Sequence, residues 1–156
     1  HPEEGDTAPE FTRPLVTDEY WEDASLADVC AASDDPVLLL FHSMDGAFPA
    51  TYLWNEVRDR GWHERATVVG VSISTPYAHK DLLHDRDIEG EARLFSDPTN
   101  GVAEAYGIDM TLDGMAGVAE PRPAIFVLDS DRTVEYAWVG TEWPAFPDYD
   151  AVDAQL

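Results

Sequence analysis

Hydrophobic residues along the chain fall into continuous apolar runs and into segments with helical spacing. Residues 37–41 and 67–73 are apolar or β-branched almost throughout, and turn residues bound each run. Such runs predict strands that are buried on both faces, as in a central parallel sheet. Further strands are predicted at 93–95, 123–129 and 133–139, and the last two form a hairpin.

The segments between these runs have the features of helices. Apolar residues recur with helical spacing over 49–60, and Gly61 follows as a C-terminal cap. Helices are also predicted at 24–32, 76–85 and 102–106, and a short acidic helix is predicted near the C terminus. Alternation of strands and helices requires right-handed crossovers and a parallel core, to which the final hairpin adds an antiparallel edge.

These elements predict one α/β domain over residues 1–156, with a central mixed sheet flanked by helices. Residues 1–14 contain three prolines and form an extended lead-in. Residues 109–121 are glycine-rich and are expected to form a loop. Residues 141–156 form an acidic tail.

The composition adds a large negative charge to this domain. Nine Lys and Arg residues stand against 32 Asp and Glu residues, for a formal net charge of −23. This charge excludes electrostatic binding to nucleic acid or to an anionic membrane. No apolar run approaches the roughly 20 residues of a membrane-spanning helix.

The acidic residues are spread along the chain rather than gathered in one segment. The composition resembles that of cytoplasmic proteins of halophilic archaea, in which molar salt screens the self-repulsion of such a surface. We therefore expect a cytoplasmic protein of halophilic origin. The alternative is an acidic protein that binds a basic partner, but a dedicated binding face would concentrate the acids.

Several short motifs, in order from Gly5 to Gly140, carry a family resemblance. They are G-D-T-A-P-E-F at 5–11, S-L-A-D at 25–28, V-V-G-V-S at 68–72, F-S-D at 95–97 followed by V-A and Y-G, I-F-V-L-D at 125–129, and Y-A-W-V at 136–139. Together they resemble the peroxiredoxin (AhpC/TSA, redoxin) family. The resemblance implies a thioredoxin-like fold of the peroxiredoxin type and thiol-dependent peroxidase chemistry. It also suggests a cis peptide bond before Pro123, where thioredoxin-like proteins carry a cis-proline.

The residues that would perform this chemistry are absent. The family motif after the first core strand is P-x-x-x-T-x-x-C, and an arginine precedes the fourth core strand. Alignment places Ser43 at the proline, Ala47 at the threonine, Ala50 at the peroxidatic cysteine and Pro123 at the arginine. We therefore expect a redoxin-family protein that does not reduce peroxide and that binds a ligand or a regulatory partner instead.

Cys30 is the only cysteine, so the chain has no intramolecular disulfide, no CxxC pair and no cysteine-based zinc site. We expect it to pack as a small apolar residue in the first helix. The alternative is a thiol oxidoreductase or antioxidant that acts through Cys30. An engineered cysteine-to-alanine variant of an active enzyme is less consistent with the sequence, because such a variant would keep the proline, threonine and arginine of the family motif.

The degenerate active-site loop supplies the candidates for a binding cleft. We expect the cleft to be formed by His42, Met44, Asp45, Phe48, Thr51 and Arg122. The loop 113–117 contains glycine and methionine as well, and could face the loop 44–48 across this cleft. Ser43 beside His42 suggests a hydrolase, but Ser43 lies outside any G-x-S-x-G motif.

No metal site or cofactor site is predicted from the remaining residues. His79 and His84 lie five residues apart on one predicted helix, which is poor spacing for metal ligands. We expect both to lie on a solvated helix face. The partner is an unidentified protein or small ligand, and Trp143 with Pro144 is the best candidate for a homodimer contact.

Overall fold

Strands and helices alternate along the chain largely as the apolar pattern predicts. The computed structural model describes residues 1–111 and 114–156. Its regular elements are the strands β1 (Thr12–Val16), β2 (Trp21–Ser25), β3 (Val37–Phe41), β4 (Thr67–Ser72), β5 (Ala92–Ser96), β6 (Asp109–Met110), β7 (Glu120–Pro121), β8 (Ala124–Leu128) and β9 (Val134–Val139), and the helices α1 (Leu26–Ala32), α2 (Phe48–Arg60), α3 (Pro76–Asp85), α4 (Gly101–Ala105) and α5 (Tyr149–Asp153).

Seven of these strands form one mixed sheet in the order β2-β1-β5-β4-β3-β8-β9. The three central strands β3, β4 and β5 are parallel, whereas β8 runs antiparallel to β3 and pairs with β9 as a hairpin. The predicted mixed sheet with a parallel core and an antiparallel edge is therefore confirmed.

The sequence pattern missed two pairs of strands. Residues 1–14 are not only a lead-in, because β1 begins within them, pairs with β2 and also joins β5. The pair β6 and β7 lies within the segment 109–121 that was expected to be a loop. In β2 none of the five residues is buried, so this edge strand has no apolar run that could reveal it.

The helix boundaries follow the capping residues. Ser25 Oγ accepts a hydrogen bond from the Asp28 amide at the start of α1, and Gly61 ends α2 in a left-handed conformation. The bounds of α3 match the prediction, because Thr75 caps the helix and Pro76 begins it. Within the described ranges, no helix is both long enough and apolar enough to cross a membrane.

The sheet separates two hydrophobic layers. Alternate residues of β3 point to opposite faces, so that Val37, Leu39 and Phe41 enter one layer and Leu38 and Leu40 enter the other. Helix α1 packs in the first layer and α2 in the second. Residues from the two helices are therefore separated by the sheet itself.

The acidic tail folds back over α2 instead of extending into solvent. Arg60 contacts the carboxylates of Asp150 and Asp153, and Arg65 also contacts Asp153. The indole N–H of Trp62 donates a further hydrogen bond to Asp153. These contacts hold the end of the tail beside the C-terminal end of α2. Earlier in the tail, Trp143 and Phe146 contact Phe48 and Tyr52 in the N-terminal half of the helix.

Candidate functional site

The four degenerate positions lie around the start of α2. Ser43 follows β3, Ala47 is the N-cap of α2 and Ala50 lies in its first turn. Pro123 immediately precedes β8, the strand next to β3. Ala50, which the motif alignment places at the cysteine position, is fully buried.

The expected cis bond at Pro123 is wrong. The cis X-Pro bond within the described ranges joins Trp143 to Pro144, so Arg122–Pro123 is trans. The backbone around Pro123 already has regular partners, since the Arg122 amide donates to Ile108 O and Pro123 O accepts from the Gly140 amide. An extended trans chain therefore enters β8 directly.

A buried histidine–aspartate pair lies behind the active-site loop. His79 Nδ1 lies 2.6 Å from Asp45 Oδ2, and His79 Nε2 lies 3.0 Å from the carbonyl oxygen of Phe95. The second Asp45 oxygen accepts a hydrogen bond from Ser72 Oγ. Both ring nitrogens of His79 therefore face acceptor oxygens, to which each can donate a hydrogen bond.

The environment of Asp45 supports this assignment. Burial by itself raises the pKa of Asp45, but the hydrogen bond and charge of His79, together with His42 and Ser72 Oγ, hold that pKa below its usual value. Only 5% of the Asp45 side chain and none of the His79 side chain is exposed. The expectation that His79 lies on a solvated helix face is therefore wrong, whereas His84 is exposed as expected.

His42 belongs to the same cluster but is neutral. Its Nδ1 donates to Ser43 O, and its Nε2 accepts a hydrogen bond from the indole N–H of Trp54. Burial is the main reason why the pKa of His42 falls to about 4, with Asp45 opposing the shift. Gly70 makes room for this pair, because a Cβ there would lie 2.6 Å from both Trp54 and Leu94.

Acidification is expected to destabilise the fold through His42. Unfolding returns the pKa of His42 from about 4 to about 6.5, so the unfolded chain binds more protons between these values. The free energy of unfolding should fall by up to about 3 kcal/mol as the pH falls from about 6.5 to 4. Below about pH 4, protonation of Asp45 removes further stability, because its pKa is depressed in the fold.

Urea unfolding at constant ionic strength, at pH 7 and pH 5, measures this loss. His42→Gln is the control, since an amide can donate to Ser43 O and accept from Trp54 without titrating. The difference between the two proteins isolates His42 from the surface carboxylates, whose protonation changes the self-repulsion of both equally. Equal losses of stability in the two proteins would contradict the assignment.

The cleft candidates divide between two separate depressions. His42, Ser43 and Pro123 line a narrow, mostly apolar crevice of about 20 Å³, which Trp138 of β9 and Phe146 and Tyr149 of the tail close. Asp45 and Thr51 instead line a more open groove against α3. Arg122 donates to Thr141 O at the surface. The predicted residues therefore do not form one continuous cleft.

The other expected wall of the cleft is not found there. The residues 114–119, together with Thr111, line a shallow depression of their own rather than either of these two. Asp113 lies outside the described residues. The tail takes the place of that loop, because the arginines of α2 and of the turn after it hold it against the domain.

Two hydroxyl groups in the crevice are left without partners. Among the described residues, Ser43 Oγ and Tyr149 OH are buried and have no hydrogen-bond partner. Burial is the main cause of the raised pKa of Tyr149, about 12, so its hydroxyl remains protonated at neutral pH. The crevice thus presents apolar walls with two neutral polar groups.

Cys30 lies far from the crevice. It is fully buried in the layer formed with α1, on the face of the sheet opposite to α2. Burial raises the pKa of its thiol to about 11, and the nearby Arg132 only partly opposes the shift. The expectation that Cys30 packs as a small apolar residue agrees with its burial. Within the described residues, no group of three or more His, Cys, Asp or Glu side chains is arranged to hold a metal ion.

Sequence reasoning missed two features of this region. One is the His79–Asp45 pair, because the two residues lie 34 positions apart and only the sheet brings them together. The other is the contact of Trp143 and Phe146 in the tail with the aromatic side chains of α2 at the mouth of the crevice. The signal that could have found the first was the apolar neighbourhood of His79, with Leu82 and Leu83 one turn further along α3.

A family model and a known protein sequence both match most of this chain. The AhpC/TSA family model matches residues 4–137. A thiol peroxidase of Staphylococcus aureus (strain MRSA252) is 29% identical over 150 residues, which cover 95% of this chain and 84% of the relative. The match therefore extends over nearly the whole length of both proteins.

Solved structures show the same fold. The peroxidoxin BcpB of Mycobacterium tuberculosis superposes with a TM-score of 0.77 at 25% identity, covering 99% of this chain and 94% of that one. A thiol peroxidase from Chromobacterium violaceum superposes with a TM-score of 0.75 at 22% identity, covering 99% and 85%. The thioredoxin-like fold of the peroxiredoxin type is confirmed, and the chain belongs to the AhpC/TSA family.

Proposed function

We propose that this protein is an AhpC/TSA family member that does not reduce peroxides and that acts by binding at the former peroxide site. The observation that carries the proposal is Ala50, a buried methyl group at the position of the peroxidatic cysteine. Peroxide reduction in this family needs a thiolate, because the thiolate is the nucleophile. No side chain at the start of α2 supplies one.

Cys30 is a poor substitute for the missing thiol. The sheet separates it from α2, and its pKa of about 11 leaves almost no thiolate at neutral pH. Its side chain is also inaccessible, so neither peroxide nor a partner's thiol reaches the sulfur in the folded protein. The oxidoreductase alternative therefore has no support from the geometry.

Hydrolysis by Ser43 and His42 is disfavoured by hydrogen bonding. A general base must accept a proton from the nucleophile through a free ring nitrogen. In His42, Nδ1 is used as a donor to Ser43 O and Nε2 as an acceptor from Trp54. Ser43 Oγ is consequently left as a neutral polar group in the crevice, suited to binding rather than to attack.

Peroxide consumption provides the test. In molar KCl with excess dithiothreitol, we expect the wild-type protein to consume hydrogen peroxide and cumene hydroperoxide no faster than dithiothreitol alone. The matched variant Cys30→Ser should give the same rate, and a thiol-directed probe should label Cys30 only after unfolding. The Staphylococcus aureus thiol peroxidase, which is expected to be active, is the positive control.

A different result would overturn the proposal. Turnover by the wild-type protein that disappears in Cys30→Ser would identify Cys30 as a relocated nucleophile. Turnover that persists in Cys30→Ser would show peroxide chemistry without a thiol. Either outcome would exclude a role restricted to binding.

A further inference from the structure

Four aromatic side chains meet on the surface beside the crevice. Phe48 and Tyr52 come from α2, and Trp143 and Phe146 come from the tail; we call this group the aromatic face. The ring centroids of Phe48 and Trp143 lie 5.5 Å apart, and those of Tyr52 and Phe146 lie 6.0 Å apart. Phe48 also contacts Tyr52, at 6.1 Å between centroids.

The aromatic face is exposed to a degree that is unusual for such side chains. Phe48, Tyr52 and Phe146 have 48%, 56% and 44% of their surfaces exposed. Scattered exposed apolar residues are normal, but a contiguous group on a strongly charged protein marks an interaction site. Phe146 also lines the crevice, so the aromatic face is continuous with the proposed binding site.

Acidic side chains border the aromatic face. Glu56 lies one turn after Tyr52 on α2, while Glu142 and Asp148 flank the segment that carries Trp143 and Phe146. Glu142 and Asp148 are exposed and form no ion pair among the described residues. Glu56 pairs with Arg60 and Asp148 caps α5, so Glu142 is the border carboxylate with neither kind of contact among the described residues.

Among the described residues, the basic side chains near this border leave Glu142 and Asp148 without an ion pair. Arg60 is engaged by Glu56, Asp150 and Asp153, and its guanidinium lies over the ring of Tyr149. Arg122 lies close by and donates to Thr141 O. This part of the surface is thus apolar and aromatic at its centre and mainly negative at its edge.

We propose that the aromatic face docks an arginine-bearing segment of a basic partner protein. A guanidinium group stacks on aromatic rings through cation–π interaction and dispersion, and its N–H groups reach bordering carboxylates. The aromatic face supplies the rings, and its border supplies carboxylates on the same surface. This inference rests on the proposed binding function and adds the chemistry of the partner to it.

A second copy of the chain is a less suitable occupant. A two-fold contact through this face would bring the same acidic border together from both protomers, and each protomer carries a net charge of −23. Like charges at an interface oppose association, whereas a basic segment is attracted by them. The acids are spread along the chain, and the exposed Tyr20 and Tyr77 also have acidic neighbours in the sequence. The aromatic face differs from them because Phe146 makes it continuous with the crevice. The basic partner therefore fits better than a homodimer.

Fluorescence anisotropy with a labelled peptide tests this inference. The probe is a peptide of alternating arginine and glycine, and the matched control peptide has citrulline in place of each arginine. We expect the arginine peptide to bind at least about tenfold more tightly than the citrulline peptide. The double variant Phe48→Ala/Phe146→Ala should weaken arginine-peptide binding about tenfold.

Two control variants separate the aromatic face from the charge of the whole protein. Tyr77→Ala removes an exposed aromatic side chain that contacts Trp21 on another surface, and should leave the affinity within about twofold. Tyr52→Ser provides a second change at the face should the double variant unfold. Circular dichroism confirms that each variant is folded before its affinity is compared.

Three results would overturn the inference. Equal binding of both peptides would show that the guanidinium group is not recognised. Unchanged affinity in both aromatic-face variants would show diffuse attraction to the acidic surface. A dimer in sedimentation equilibrium that dissociates in Phe48→Ala/Phe146→Ala would make a second copy the occupant. The peroxide assay is independent of all three, so failure here leaves the absence of peroxidase activity standing.

Discussion

His79→Leu is expected to lower the free energy of unfolding by about 3–5 kcal/mol. The change leaves the carboxylate of Asp45 buried, with Ser72 Oγ as its remaining side-chain hydrogen-bond donor. A buried charge without its counter-charge retains the full cost of desolvation. Chemical unfolding at pH 7 in constant high salt measures the loss.

His84→Leu is the matched control for this prediction. His84 lies on the same helix, carries the same side chain and contacts Glu89, but it is exposed to solvent. Exposed ion pairs contribute little to stability, so this variant should unfold close to the wild-type midpoint. A loss of similar size in both variants would show that the His79–Asp45 pair has no special role.

Trp54→Ala is expected to destabilise the protein by about 3–5 kcal/mol as well. Trp54 is fully buried between α2 and the sheet, and its ring packs edge-on against His42 at 5.5 Å between centroids. The truncation leaves a cavity and also removes the donor that satisfies His42 Nε2. Thermal and chemical unfolding provide the measurement.

Two related variants divide this effect into its parts. Trp54→Phe keeps most of the ring but removes the indole N–H, and should lose about 1–3 kcal/mol. Tyr52→Ala, two residues earlier on α2, removes an exposed ring and should lose far less. If Trp54→Phe is as unstable as Trp54→Ala, the hydrogen bond to His42 dominates; if it matches the wild type, packing alone accounts for Trp54.

The aromatic residues show which features a local sequence pattern can predict and which it cannot. Trp143 was predicted as an interface residue on chemical grounds, and that assignment remains a prediction. Its contact with Phe48 could not be foreseen, because the two residues are 95 positions apart and meet only when the tail folds onto α2. The arginine–aspartate contacts that hold the tail are equally long-range.

The cleft candidates show the same limit. Five of the six cleft candidates lie within residues 42–51 and are predicted to share one cleft because they are close in the chain, yet His42 and Asp45 line separate depressions. His79 was assigned to solvent from its helical spacing, although α3 turns that side of the helix toward Asp45 and Phe95. Spacing along a helix gives the relative direction of side chains, but not which direction faces the core.

Residue identity by itself determined the five main strands, the principal helices and the family. Apolar runs, capping residues and ordered motifs are local properties, and each stretch of chain carries its own signal. The same holds for the identity of residue 50, which is an alanine. Only the tertiary structure decided the burial of His79, the neutral state of His42, the crevice under the tail and the aromatic face. Each of these depends on residues that are distant in sequence, and their pKa values and exposure are set by the neighbours that folding brings to them.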